Sequence, residues 1–147
     1  MNAIAVSLRV TAPGRAARVS TGRRQFSIGR PVEFDAASPD VSALEYALGA
    51  AGGEIVNGLR EFARRRRIEI DAIEALVTGA LAEPLTYLEV VGETAAPRIV
   101  SVTVKIFVAA PDAAAVRELF AGMLDRLPLV GTLRRALDFH TELILTS

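Results

Sequence analysis

Cysteine and tryptophan are absent from this 147-residue chain, and histidine occurs once, as His140. Without cysteine, the chain cannot form a disulfide, a zinc–thiolate site or a thiol nucleophile, because each of these requires the sulfur atom. One histidine is too few for a histidine-based metal cluster, which needs several ligands. We therefore predict that the protein holds no metal and no resident cofactor.

Charge balance and the lengths of the apolar runs exclude further classes. The 17 basic residues equal the 17 acidic residues in number, whereas a dedicated nucleic-acid binder usually carries a basic excess. No apolar run reaches the roughly 18 residues of a membrane-spanning helix, and the N-terminus lacks the basic and apolar regions of a signal peptide. Apolar residues make up 51% of the chain, which is typical of a folded domain. The composition thus predicts one cytoplasmic globular domain with no membrane association.

A long helix is the clearest predicted element, over residues 42–66. Ser42 and Glu45 have the spacing of a capping box, in which each side chain bonds the backbone amide of the other residue. Four glycines lie inside this helix, and each costs about 1 kcal/mol relative to alanine in a helix interior. They are Gly49, Gly52, Gly53 and Gly58. We expect that a second helix or a strand approaches the helix closely at these positions.

Strands surround the long helix in the sequence. Period-two alternation and turn residues predict an antiparallel meander over residues 1–30. The remaining predicted elements are strands within residues 68–108 (among them residues 86–93), a second helix over residues 112–127 that ends before Pro128, and a closing strand over residues 139–146. This order predicts an α+β fold, with an antiparallel sheet, a central helix rich in glycine and alanine, and a second helix.

Two segments carry a resemblance to a known family. Residues 44–59 read Leu-Glu-Tyr-Ala-Leu-Gly-Ala-Ala-Gly-Gly-Glu-Ile-Val-Asn-Gly-Leu, and residues 127–133 read Leu-Pro-Leu-Val-Gly-Thr-Leu. Both resemble motifs of the OsmC/Ohr family of osmotically induced and organic-hydroperoxide-resistance proteins, and the resemblance covers residues 25–146. It implies one OsmC-like domain over residues 1–147 and an intertwined homodimer, in which the central helices pack near the two-fold axis.

The departures from the family pattern bear on function. Glu54 stands where the family has its peroxide-attacking cysteine, and Leu127 stands where it has its resolving cysteine. A carboxylate cannot pass through the sulfenic acid state on which a thiol peroxidase depends. We therefore predict that this chain has no thiol-dependent peroxidase activity.

The resemblance also implies a pocket at the dimer interface. Its candidate lining residues are Glu54, Leu127, Gly53, Leu44, Arg15 and Arg18. Leu44, with Glu45 beside it, stands where the peroxidase branch has a glutamate, and the two arginines match the family's arginine only loosely. We expect this pocket to bind a small apolar or amphipathic molecule. Glu54 is either a pocket carboxylate or a solvated charge on the flank of the helix.

Two alternatives remain open at this point. In the first, the protein is an enzyme with changed chemistry that uses Glu54 as acid or base. In the second, it is an interaction module that binds nucleic acid or another acidic partner through the run Arg64–Arg67. The simpler interpretation of that run is a solvated cap, because cations complement the dipole at a helix C-terminus. His140 lies on a predicted strand, where we expect a structural or exposed side chain.

Overall fold

The computed structural model describes residues 1–146, and the chain divides into two compact units, Met1–Ala47 and a second that begins at Leu48. Strands β1 (Arg9–Thr11), β2 (Ala17–Ser20) and β3 (Gln25–Ile28) form an antiparallel sheet in the first unit. Packing within this unit is light. Val19 is its buried apolar side chain, and the rings of Phe26 and Tyr46 lie 5.4 Å apart between centroids.

The first strand is shorter than the sequence pattern predicts. Alternation begins near residue 3, but β1 begins at Arg9. Ile4 and Val6 remain 94% and 84% exposed. Alternation alone does not make a strand, because the backbone N–H and C=O groups need a neighbouring strand. Among residues 1–146, no strand pairs with residues 4–8.

Helix α1 (Ala43–Arg66) begins at the predicted capping box, which is confirmed. The amide of Glu45 donates to the Ser42 hydroxyl at 3.1 Å, and the amide of Ser42 donates to the Glu45 carboxylate at 2.8 Å. The Ser42 hydroxyl also donates to the same carboxylate oxygen. These bonds lower the pKa of Glu45, chiefly through the backbone amide of Ser42.

The second unit holds the larger sheet. Strand β4 (Ala72–Ala82) pairs antiparallel with β5 (Arg98–Ala109), which pairs parallel with β6 (Asp138–Thr146). A parallel pair needs a crossover connection. Here it consists of α3 (Ala113–Met123), a 3₁₀ turn (Leu124–Arg126) and α4 (Pro128–Ala136). Asp112 caps α3, because its carboxylate accepts a hydrogen bond from the amide of Ala115 at 2.9 Å.

The core of the second unit lies between α1, β5 and the crossover helices. Its buried side chains include Ile55 and Leu59 on α1, four alternate residues of β5, and Val116, Leu119, Phe120 and Met123 on α3. The four on β5 are Val102, Val104, Ile106 and Val108, the alternate positions of the predicted strand.

Two predicted segments need correction. Residues 86–93 are not a strand, because Pro84 begins a helical turn, α2 (Pro84–Tyr87), and Glu89 and Gly92 then adopt positive φ angles of 55° and 93°. The second predicted helix, residues 112–127, is helical only to Met123 before the chain tightens into the 3₁₀ turn. The interpretation of residues 1–147 as a single OsmC-like domain stays a prediction. No helix in the described part of the chain is long and apolar enough to cross a membrane.

Candidate functional site

Glu54 projects from the middle of α1 and is half-buried. One of its carboxylate oxygens, Oε1, accepts a hydrogen bond from the amide of Leu129 at 3.1 Å. The other oxygen, Oε2, accepts one from the amide of Val130 at 2.7 Å. Glu54 therefore joins α1 to α4 across more than seventy residues of sequence.

The start of α4 explains why a carboxylate belongs there. The first amides of a helix have no partner within the helix and need an outside acceptor. Leu127, at the N-cap position, has no side-chain acceptor, and Pro128 has no amide hydrogen. The orphan donors of the first turn are thus the amides of Leu129 and Val130, and Glu54 supplies both acceptors. Its negative charge also suits the positive end of the helix dipole.

Leu127 lies beside the same turn of α1. It is 5% exposed, and a Cβ added to Gly58 would come within 2.6 Å of Leu127 Cδ2. Gly58 is one helical turn beyond Glu54, so the two positions that the resemblance assigns to cysteines lie on neighbouring elements. One of them now carries a hydrogen-bonded carboxylate, and the other carries a packed aliphatic side chain.

The other glycines of α1 divide into two groups. A Cβ on Gly52 would lie 2.5 Å from Val77 Cγ2, and a Cβ on Gly79 of β4 would lie 2.7 Å from Leu48 Cδ2. The predicted close approach is thus confirmed at Gly52 and at Gly58. In contrast, a Cβ on Gly49 or on Gly53 would meet no atom of the described residues within 4 Å. These two glycines lie on a face of α1 with open space in front of it.

The remaining pocket candidates belong to the first unit. Arg15 forms an ion pair with Asp40, with 2.9 Å between Nε and Oδ2. Arg18 is exposed on β2, and Leu44 is half-buried in the first turn of α1. That these three residues share a pocket with Glu54 stays a prediction.

The arginine run at the end of α1 is partly neutralised by its own helix. Glu61 binds Arg64 through two hydrogen bonds of 3.1 and 2.9 Å, and it binds Arg65 at 2.9 Å. The hydrogen bonds from Arg64 and then from Arg65 lower the pKa of Glu61 to about 2. Arg65 also lies 5.6 Å from the centre of the Phe62 ring. This geometry fits a solvated helix end better than a free cationic patch.

The last residue of the run ends the helix. Arg67 adopts a φ of 58°, in the left-handed region. The amide of Ile68 donates to the carbonyl of Ala63 at 2.9 Å, and the amide of Arg67 donates to the carbonyl of Arg64 at 3.2 Å. This is the Schellman arrangement, with arginine at the position that glycine usually holds.

His140 lies on an exposed part of β6. Its Nε2 atom is 2.8 Å from Asp138 Oδ1, and both side chains are about two-thirds exposed. Its partner is therefore Asp138, two residues earlier on the same strand. Glu142 lies 3.7 Å from Lys105 on the neighbouring strand. Among residues 1–146, no group of three or more acidic or histidine side chains could hold a metal ion.

Sequence reasoning singled out Glu54 but missed its partners, the amides of Leu129 and Val130. Every residue except proline has a backbone amide donor, so residue types do not reveal which amides bind Glu54. One feature of the sequence does indicate such an interaction. Pro128 begins a helix, and Leu127 before it has no side-chain acceptor, so the first amides of the helix have no local cap. That combination indicates that an acceptor must come from elsewhere in the fold.

The order of elements, the parallel closing strand after a helical crossover and the long helix against β4 define the class of fold. It is an α+β fold in which the candidate site joins the central helix to the crossover. Solved structures identify it as the fold of the OsmC and Ohr proteins, which confirms the predicted fold class. No family model and no curated protein matches the sequence.

Three solved structures illustrate the likeness. An OsmC-like protein from Mycoplasma pneumoniae superposes with a TM-score of 0.78 at 12% identity, covering 98% of this chain and 99% of its own. The organic hydroperoxide resistance protein OsmC from Legionella pneumophila gives 0.70 at 9% identity, covering 98% and 99%. The organic hydroperoxide resistance protein OhrB of Bacillus subtilis gives 0.65 at 21% identity, covering 93% and 97%.

Proposed function

We propose that this protein is a homodimeric, cysteine-free OsmC-like protein that binds a small apolar or amphipathic molecule and does not reduce peroxides through a thiol. One observation carries the proposal. The two positions assigned to cysteines hold a carboxylate bonded to two backbone amides and a buried leucine. Neither group can cycle between redox states. Organic hydroperoxide resistance proteins are among the structures that share this fold, so the proposal relates the chain to oxidative-stress proteins without giving it their activity.

Support for a dimer comes from surfaces that a single chain leaves uncovered. Gly49 and Gly53 face open space on α1, which would let a second α1 approach closely. Ile4 and Val6 are exposed and alternate as strand residues do. Strand β4 is eleven residues long and has one neighbour in its sheet, so its outer edge could accept a strand of a second copy. We propose that the copies meet along these surfaces and enclose the pocket beside Glu54.

The two alternatives rank lower on geometry. Each oxygen of Glu54 accepts an amide hydrogen bond that holds the start of α4, so the carboxylate already has a structural role that needs no acid or base chemistry. An acidic partner that bound Arg64 and Arg65 would have to displace Glu61 from them. Salt-sensitive binding of a nucleic acid would favour the interaction module over the proposal.

Activity is tested first. The purified protein is incubated with cumene hydroperoxide and dithiothreitol, and the consumption of peroxide is followed. We expect the rate of the buffer without protein. A rate that rises with protein concentration and falls in Glu54→Gln would overturn the proposal that peroxide chemistry is absent.

The dimer and the ligand are tested together by a matched pair of variants. Gly53→Leu puts a side chain on the open face of α1, and Gly122→Leu puts one in equally open space on α3. We expect sedimentation equilibrium at micromolar concentration to give a dimer for the wild type and Gly122→Leu, and a monomer for Gly53→Leu. Nile red, a neutral apolar dye, should bind only the dimers. A monomeric wild type, or dye binding equal in all three proteins, would contradict the proposal.

A further inference from the structure

We infer that Glu54 sets the ligand class of the proposed pocket, so that it accepts neutral or cationic amphiphiles and rejects anionic ones; this inference rests on the proposed ligand-binding function. The amides of Leu129 and Val130 donate hydrogen bonds at the Glu54 side of the proposed pocket. A ligand carboxylate would need such donors, because the start of a helix is where proteins commonly hold anions. Here the chain's own carboxylate fills both, which leaves an incoming anion without them.

The charge of Glu54 strengthens this selection. Among residues 1–146, no lysine, arginine or histidine forms an ion pair with it. The positive end of the α4 dipole is equivalent to only about half an elementary charge. The Glu54 side of the proposed pocket therefore keeps a net negative charge, which repels a second anion and attracts a cation or a neutral hydrogen-bond donor. Half-burial weakens the screening of that charge by solvent.

The surroundings of Glu54 suit the tail of an amphiphile. Its neighbour Gly53 has no side chain, and a Cβ placed there would meet no atom of the described residues within 4 Å. Leu127 and Val130 are buried apolar residues at the start of α4, and Leu129 between them is half-buried. A hydroxyl or ammonium head group near Glu54 could donate to a carboxylate lone pair while an alkyl chain contacts the exposed part of Leu129.

The experiment compares probes of one chain length and different charge. Decan-1-ol, decanoate and decylammonium, each below its micelle-forming concentration, are titrated against the Nile red complex at pH 8, where decanoate is ionised. The quantity measured is the ratio of the decanoate to the decan-1-ol dissociation constant. Glu54→Gln keeps the size of the side chain and removes its charge, and Glu118→Gln removes an exposed charge from α3 as the matched control.

We expect the ratio to fall by about tenfold or more in Glu54→Gln, because one like charge at close range, only partly screened by solvent, is removed. Decylammonium should bind more weakly to that variant than to the wild type. Glu118→Gln should keep the wild-type ratio. Higher salt should narrow the difference between the wild type and Glu54→Gln.

The outcomes separate the two claims. If the wild type binds decan-1-ol and binds decanoate equally well, the inference is wrong and the ligand-binding function stands. An unchanged ratio in Glu54→Gln would also overturn the inference. If the wild type binds neither Nile red nor decan-1-ol, the proposed function fails and the inference fails with it.

Discussion

Replacing Glu54 with alanine should destabilise the folded chain far more than an ordinary half-exposed glutamate would. The substitution removes the acceptor of two amides at the start of α4. A hydrogen bond to a charged group contributes about 1.5–3 kcal/mol net, and a buried donor left without a partner costs about 1–3 kcal/mol. Glu54 is half-buried, so water can replace part of this loss. We therefore expect the free energy of unfolding to fall by about 2–4 kcal/mol.

Asp112→Ala supplies the matched comparison. Asp112 caps α3 with one hydrogen bond of 2.9 Å to an amide three residues away, and it is exposed. The loss of such a local cap typically costs about 1 kcal/mol. The two variants therefore compare the loss of a long-range cap that makes two hydrogen bonds with the loss of a local cap that makes one.

The assay is guanidinium unfolding of both variants at one protein concentration, because the stability of a dimer depends on concentration. We expect the Glu54→Ala midpoint to fall by about 0.5–1 M, well beyond the fall in Asp112→Ala. Amide hydrogen exchange provides a local readout, since the amides of Leu129 and Val130 should lose protection selectively. If Glu54→Ala costs no more than Asp112→Ala, or if those amides stay protected, the account of Glu54 as the cap of α4 is refuted.

Three further predictions concern single contacts. Gly58→Ala should lower the free energy of unfolding by about 1 kcal/mol in thermal unfolding, because the new Cβ crowds Leu127. In a Leu127→Ala background the same change should stabilise the helix. Destabilisation in both backgrounds would contradict this prediction. Arg67→Gly should raise stability by about 0.5 kcal/mol, since glycine has no penalty at positive φ, and a loss would show that the arginine side chain makes a stabilising contact. The pKa of Glu61, followed by NMR, should be about 2 and should rise toward its ordinary value in Arg64→Ala. Because folding lowers this pKa, Glu61 stabilises the folded chain fully at a pH above its ordinary pKa, and this contribution is lost as the pH falls toward about 2. A Glu61 that titrates at its ordinary pKa would show that Arg64 and Arg65 do not bind it in solution.

Local signals predicted the elements that depend on neighbouring residues. The capping box at Ser42 marks the start of α1, because its two hydrogen bonds join residues three apart. The alternating valines of β5 predict its buried face, because side chains of a strand point to opposite faces in turn. Both patterns are written within one element, so no knowledge of tertiary packing is needed to find them.

Features that depend on distant partners could not be predicted in the same way. Residues 4–8 alternate like a strand but have no partner strand within residues 1–146, because pairing depends on a neighbouring strand and not on the pattern alone. The segment after Pro84 has strand-forming residues, but the positive φ angles of Glu89 and Gly92 turn the chain. The amides that hold Glu54 belong to backbone more than seventy residues away. In each case the structure depends on a feature that the residue pattern of the segment does not contain.

Glu54 and Leu127 occupy the two positions that the resemblance assigns to cysteines, and both are tied to the contacts between α1 and the start of α4. A cysteine placed at position 54 alone would leave the amides of Leu129 and Val130 without their acceptor, and Leu127 could not resolve its oxidised sulfur. A cysteine placed at position 127 alone would remove the aliphatic side chain packed over Gly58 and would find no second thiol in the chain with which to form a disulfide. Either single change costs stability without giving redox chemistry. The packing and the hydrogen bonds of the site thus support each other without sulfur, which favours the proposed binding role over thiol-peroxidase chemistry.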